Sequence, residues 1–392
     1  MSNMKKNYWH LRSATIIAFA LLHIVIFGTR KKAPANPKNI AIVQGAKLGD
    51  MVCTTPLFRA IQRAYPTSRI IVIGDAVNQK LLRGHPAIAR YIVWQKNFRA
   101  TARALRRERI DYGLVALPSL ESLALLVCGG ARAVAAPIVI GGISPFETRL
   151  YSFLRGFAIA VPHRYGGYVP REYLRLLEPI GIQSDNTKKW LTVSKEAQAH
   201  VTSFFAEIGL VPRHDLLIGI TPAVGGNPRK RWSPAKFSAV ADYLAERYSA
   251  KIIVVGSGRD KDDIENMLRS LSPRTKIVNT LDLFSLDELK ALIASFSLFI
   301  SADTGPIYIA EAFDIPTIDI VGPMDENAQP PRGKLHRVVV PTRTRPAFGI
   351  LNHDGSNPEE ELRQSKATTV EMVCKVVDEL VPLIRAHFSA TT

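Results

Sequence analysis

Three short runs of this chain carry residue types at spacings that chemistry needs. Residues 299–323 read FISADTGPIYIAEAFDIPTIDIVGP: an apolar run, 298 to 300, ends in Ser301, Ala302 and Asp303, and Thr304, Gly305 and Pro306 open an amphipathic helix. A strand-to-helix turn tipped with small residues leaves backbone N–H groups unpaired at the positive end of a helix, where a phosphate or diphosphate binds with little side-chain help. An ordinary cap, with Asp303 or Thr304 as N-cap and Pro306 in the first turn, explains the same residues. The second run, GAKLGD at 45–50, ends the first strand. Its glycines permit a tight turn near a ligand, and Asp50 stands where turn meets helix, as a general base or as a capping carboxylate. In the third run, a strand ending in Thr221 enters PAVGGNPRKRW, whose Arg229, Lys230 and Arg231 can bring cations to phosphates at a sheet edge.

Other chemistries are not indicated. The third run lacks the GxxxxGK[ST] spacing, so nucleotide hydrolysis is not expected. GSGRDKDD at 256–263 has two of the three Rossmann glycines. Its Asp260, Lys261 and Asp262 spell a DxD, but they open a helix, where acids are expected on dipole grounds alone. No His or Cys cluster stands nearby, so no metal is expected. The nine histidines show no pattern and no GxSxG is present, which argues against serine-hydrolase chemistry.

Alternating strands and helices must position these runs. Apolar stretches near 40–43, 70–73, 91–94, 112–116 and 134–140 alternate with helical spacing at 50–64 and a basic helix at 99–109. A second series begins near 216–221 and continues at 251–255, 277–278, 298–300, 317–321 and 338–340. Phe237, Val240, Tyr243 and Leu244 line one intervening helix face, and Leu286, Leu289, Leu292 and Ile293 another. Alternation of this kind predicts parallel sheets covered on both faces, here two doubly wound α/β domains joined near 182–214. The expected divisions are an N-terminal segment and linker at 1–37, a first domain at 38–190, a second at 212–345, and a C-terminal loop and closing helix at 346–392. Within the last, 349–364 reads as a polar loop and 369–387 as helix.

The chain has 392 residues, enough for two domains, with 47% apolar and 22% charged residues. Cys53, Cys128 and Cys374 form neither a disulfide framework nor a metal-ligand set, which fits a reducing cytoplasmic setting. The net charge of +17 implies an anionic partner. No zinc-finger spacing, RNP-like strand or basic heptad helix appears, so nucleic acid is not expected. Residues 14–27 are almost continuously apolar, flanked by Lys5, Lys6 and Arg12 before and Arg30, Lys31 and Lys32 after. The expectation is attachment through about residues 9–28, spanning the membrane or lying on it, with the body on the cytoplasmic side.

Taken together, IAIVQGAKLGDMVCTTPLFRAIQRAYPTSRIIVI, KRW at 230–232 and ISADTGPIYIAEAFDIPTIDIVGP resemble the heptosyltransferases of glycosyltransferase family 9, over roughly residues 38–385. The resemblance implies the GT-B fold, two Rossmann-like domains facing across a cleft, and inverting, metal-independent transfer from an ADP-sugar donor to an anionic lipopolysaccharide-core glycolipid at the inner leaflet. No cofactor is implied. It makes Asp50 the catalytic base, Lys230 the phosphate contact, and Asp303, Thr304 and Gly305 the donor loop. Thr221, Asp260, reaching the ribose, and Phe284, lining the nucleotide pocket, complete the implied donor site. Phe284 also fits a hydrophobic staple before the SLDE helix start. Tyr308 departs from the pattern, standing where the family usually has histidine. A nucleotide-sugar epimerase of related fold and a catalytically silent membrane-associated sugar-nucleotide-binding protein remain the alternatives.

Overall fold

A computed structural model describes residues 3–94, 97–225, 228–347 and 357–389. The chain divides into two compact units, Met1–Lys189 and Trp190–Ile350 with Gly355–Thr392. The first holds one parallel sheet of β1 (Asn39–Val43), β2 (Arg69–Gly74), β3 (Ile88–Val93), β4 (Tyr112–Val115), β5 (Ala133–Ile140) and β6 (Ile159–Arg164). The second holds β7 (Leu217–Thr221), β8 (Lys251–Val254), β9 (Ile277–Asn279), β10 (Leu298–Ala302), β11 (Thr317–Ile320) and β12 (His336–Val339). Their orders are β3-β2-β1-β4-β5-β6 and β12-β11-β10-β7-β8-β9, so each sheet, counted from its own first strand, runs 3-2-1-4-5-6. Parallel strands need crossover connections that cover both faces, which is why β4 and β7 are buried along their whole length.

This strand order fixes where ligands can enter. The connections turn to opposite sides at the middle of each sheet, between β1 and β4 and between β7 and β10, and crevices open there at the strands' carboxyl ends. GAKLGD follows β1. Thr221 ends β7, and Asp303 follows β10.

Three local expectations need correction. The helix expected over 50–64 is two, Leu48–Thr54 and Pro56–Ala64, because Pro56 has no N–H to continue the first. The Thr55 hydroxyl donates instead to the Val52 carbonyl at 2.7 Å. β6 was not anticipated. Within the segment expected as polar loop, Pro358–Ala367 is helical: Asn357 caps it, Pro358 fills its first turn, and Glu359, Glu360 and Glu361 suit its positive end; residues 348–356 lie outside the described ones. The final helix, Val370–Ser389, then buries Val373, Val377, Leu380 and Ile384 against Phe237, Val240 and Leu244.

The N-terminal helix runs Asn3–Phe27. Ile16 and Ala20 join the first unit's core with Leu123 and Val127 of the helix Leu120–Cys128, and His23 is buried. Among the described residues no helix is long and apolar enough to cross a membrane. The expectation of a spanning segment at 9–28 therefore gives way to a helix with one side packed on the protein.

Candidate functional site

In the second unit, three elements meet at the β7/β10 switch. Lys230 ends a 3₁₀ turn, Pro228–Lys230, and its Nζ lies 2.8 Å from Asp303 Oδ2 and 3.2 Å from the Asp303 carbonyl. Asp303 is 3% exposed, and its other carboxylate oxygen accepts the Tyr308 hydroxyl. Tyr308 lies on the helix Gly305–Ala312, five residues on, so this contact holds the turn and the helix's first turn together. A carboxylate held by two partners points a lysine at the start of that helix. Thr304 occupies the N-cap, yet its side chain makes no capping bond, and its hydroxyl oxygen is buried without a hydrogen-bond partner. A buried hydroxyl left unused costs about 1–3 kcal/mol, and this one stands beside a helix N-terminus, the kind of place where an anion's oxygens can be met. Gly305 begins the helix, with Pro306 at a position that needs no N–H.

The C-terminal helices set the lysine's approach. Trp232, 1% exposed, donates its indole N–H to the Thr368 carbonyl at 2.9 Å, and Lys236 Nζ reaches the same oxygen at 2.6 Å. The Ser365 hydroxyl donates to the Arg229 carbonyl, and Arg229 pairs with the buried Glu361. KRW is thereby clamped from both ends.

Sequence reading passed over Asp319. It lies on β11 opposite Ser301, is fully buried, and neither carboxylate oxygen has a hydrogen-bond partner. Burial, and then the neighbouring Asp303 carboxylate, push its carboxyl well above the usual range, so it is held neutral; Lys230 opposes the shift and Glu311 adds to it. The available signal was a lone acid inside the apolar run TIDIV.

The remaining donor-side residues divide. The Thr221 hydroxyl is buried and donates to the Val255 carbonyl at 3.1 Å, so it closes the end of β7. Asp260 accepts the Ser257 N–H and hydroxyl, both at 2.9 Å, in the capping box of the 3₁₀ turn Gly258–Asp260. Phe284 packs edge-on to Phe204 and His200, with ring centroids 5.1 and 5.8 Å apart. Ser285 and Glu288 close a reciprocal capping box behind it. Gly226 and Asn227 of the basic run lie outside the described residues.

In the first unit, Asp50 is half-buried in the opening turn of Leu48–Thr54. Its Oδ2 accepts the Lys47 N–H at 3.2 Å, the capping role, and Thr54 Oγ1 donates to its carbonyl at 2.8 Å. Gln44, fully buried at the end of β1, donates to the Thr54 hydroxyl at 2.9 Å and approaches the Tyr173 hydroxyl at 3.5 Å. Burial first, then the Asp50 carboxylate, raise the Tyr173 hydroxyl well above its ordinary value, so it keeps its proton beside the acid. Gln44 and Tyr173 are a second pair the sequence reading did not find. Among the described residues no group of three His, Cys, Asp or Glu side chains is placed to hold a metal ion.

Comparison with known proteins places this arrangement. A curated relative, lipopolysaccharide heptosyltransferase 3 of Escherichia coli, is 28% identical over 290 residues, 71% of this chain and 81% of that protein. The solved glycosyltransferase family 9 protein of Veillonella parvula superposes with a TM-score of 0.70 at 20% identity, covering 89% of this chain and 98% of that one. The E. coli ADP-heptose lps heptosyltransferase II does so at 0.64 and 20%, covering 83% and 97%. The family model of glycosyltransferase family 9 (heptosyltransferase) matches residues 98–353, more than half of the sequence. With two parallel α/β domains of one strand order and a match of that extent, this chain belongs to glycosyltransferase family 9, the heptosyltransferases, and is a glycosyltransferase.

Proposed function

We propose that the chain is an inverting, metal-independent transferase that moves a heptose from an ADP-linked donor to a lipopolysaccharide-core-type or other lipid-linked acceptor, at the cytoplasmic face of the inner membrane. The observation that carries this reading is the lysine and the unused Thr304 hydroxyl gathered at one helix N-terminus. That is the equipment for a leaving diphosphate. The acceptor oxygen bonds to the anomeric carbon as the bond to the diphosphate oxygen breaks. The departing pair of electrons rests on ADP, where helix N–H groups and Lys230 disperse the charge in place of a metal. The acceptor's proton passes to Asp50, which the Lys47 N–H orients. Attack opposite the leaving group inverts the anomeric centre. The donor assignment is supported by the E. coli relative described as an ADP-heptose enzyme. Asp260 and Phe284 serve the ribose and base in this reading, and Tyr308 and Thr221 hold the loops.

The reading requires both units to serve one substrate pair, in the GT-B manner that the resemblance implies. Asp50→Ala tests it: transfer falls by roughly 10²- to 10⁴-fold while ADP affinity, measured by calorimetry with and without EDTA, is unchanged. Activity within a few-fold of the parent removes Asp50 from the mechanism. An EDTA-sensitive transfer rate overturns metal independence, and retained ADP binding with no transfer to any lipid-linked glycan supports the silent binding protein instead.

A further inference from the structure

The N-terminal helix has a second face that the core does not use. Phe19, Leu22, Val25 and Ile26 are 40, 56, 82 and 59% exposed, and their spacing of three and four residues puts them on one side. Phe153, 53% exposed, extends the apolar surface from the adjoining helix Arg149–Arg155. On the other side lies the helix Phe98–Glu108. Arg99 sets its guanidinium 4.9 Å from the centre of the Phe19 ring, and between the two helices is a cavity of about 190 Å³. Phe19, Ala102 and Cys128 line it, and Arg99, Arg103 and Arg106 stand around it.

On the two helices that bound the cavity, the exposed charge has one sign. Asn3–Phe27 contains no acidic residue, and the one acid of Phe98–Glu108 is buried and held by Arg69 and Arg90. Exposed Arg30, Lys31 and Lys32 follow directly. A second copy of this chain docked face to face would set arginine against arginine. An apolar stripe rimmed by arginines matches instead an anionic bilayer, with acyl chains under the stripe and phosphate headgroups at the rim.

We infer that the exposed face formed by Phe19, Leu22, Val25, Ile26 and Phe153, with Arg99 and Arg103 at its edge, is a docking surface for anionic phospholipid headgroups, on which the helix lies flat. This rests on the proposed membrane-side function and names its surface. Its test needs neither donor nor acceptor, so the two readings fail separately.

The test is co-sedimentation of the full chain with phosphatidylcholine vesicles, with and without phosphatidylglycerol. The parent binds the anionic vesicles, and binding weakens as salt rises. The triple variant Phe19→Glu, Leu22→Glu, Val25→Glu loses at least about tenfold in binding with an unchanged melting temperature, because all three side chains are exposed. Arg99→Gln with Arg103→Gln loses roughly 25-fold on anionic vesicles, about fivefold per charge, and nothing on neutral ones. Equal binding of the parent to both vesicle types overturns the proposal, as does parent-like binding by either variant. A parent dimer in sedimentation velocity that the triple variant dissociates, with no vesicle binding, assigns the face to a second copy and also overturns it.

Discussion

Lys230→Ala separates what this side chain does for the fold from what it does for the ligand. Its Nζ lies 2.8 Å from Asp303 Oδ2, with the two side chains 18 and 2% exposed. An exposed ion pair would be worth about 0–1 kcal/mol, whereas deleting one member of a buried pair costs about 3–5 kcal/mol because the other charge is stranded. Lys230 keeps some solvent contact, so the lower end applies, about 3 kcal/mol. For a unit of this size that corresponds to a fall of about 6–12 °C in the second unit's melting temperature. The ligand term is separate: a charge-assisted contact to a diphosphate contributes about 1.5–3 kcal/mol, or roughly ten- to a hundredfold in ADP affinity. Adding Asp303→Asn to Lys230→Ala removes the stranded charge, so stability recovers while ADP affinity does not. Scanning calorimetry and ADP titration calorimetry on both variants read the two quantities. A single variant that melts within about 2 °C of the parent refutes the buried-pair argument. A double variant that regains ADP binding refutes the assignment of Lys230 to the phosphates.

Two further outcomes follow from the same unit. Asp319 has its native carboxyl raised above its unfolded value, so the stability it confers is complete below about pH 4 and is lost as pH rises toward the native value, at up to about 1.4 kcal/mol per pH unit. Asp319→Asn abolishes that dependence: its stability relative to the parent climbs from pH 4.5 to pH 7 in urea unfolding, and parallel curves rule out a titrating Asp319. Gly219 of β7 has no room for a methyl group, since an added Cβ would overlap the Phe296 ring and lie 2.7 Å from Phe299. Gly219→Ala therefore costs about 1–3 kcal/mol, read as a lower melting temperature, and Gly219→Ala with Phe296→Leu recovers part of it.

How much of this was legible beforehand depends on the range of the contact. ADTGP and GAKLGD announce themselves because turn, cap and helix start are set within a few residues, and both loops stand where local rules put them. The alternation of apolar runs was enough for two parallel sheets, because period and connection length are local properties. The break at Thr55 was readable from Pro56, and the helix Pro358–Ala367 from NPEEE, yet apolar spacing outweighed the first and polarity the second. Gln44 and Tyr173 were out of reach, since 129 residues separate them and only the packing of the first unit brings them together. The partner of Lys230 was equally hidden, 73 residues away. For Asp260 and Phe284, position in the chain suggested a ligand role, while the contacts made are a local cap and an aromatic cluster.

The clamp on KRW has a consequence for how this enzyme comes into being. Trp232 and Lys236 rest on the carbonyl of Thr368, and Arg229 on Ser365, all supplied by the last helices. A ribosome that has already released both loops into the cytosol has still not made the brace that seats Lys230. A copy shortened before residue 365 therefore keeps every signature motif but lacks the partners that brace the segment around Lys230.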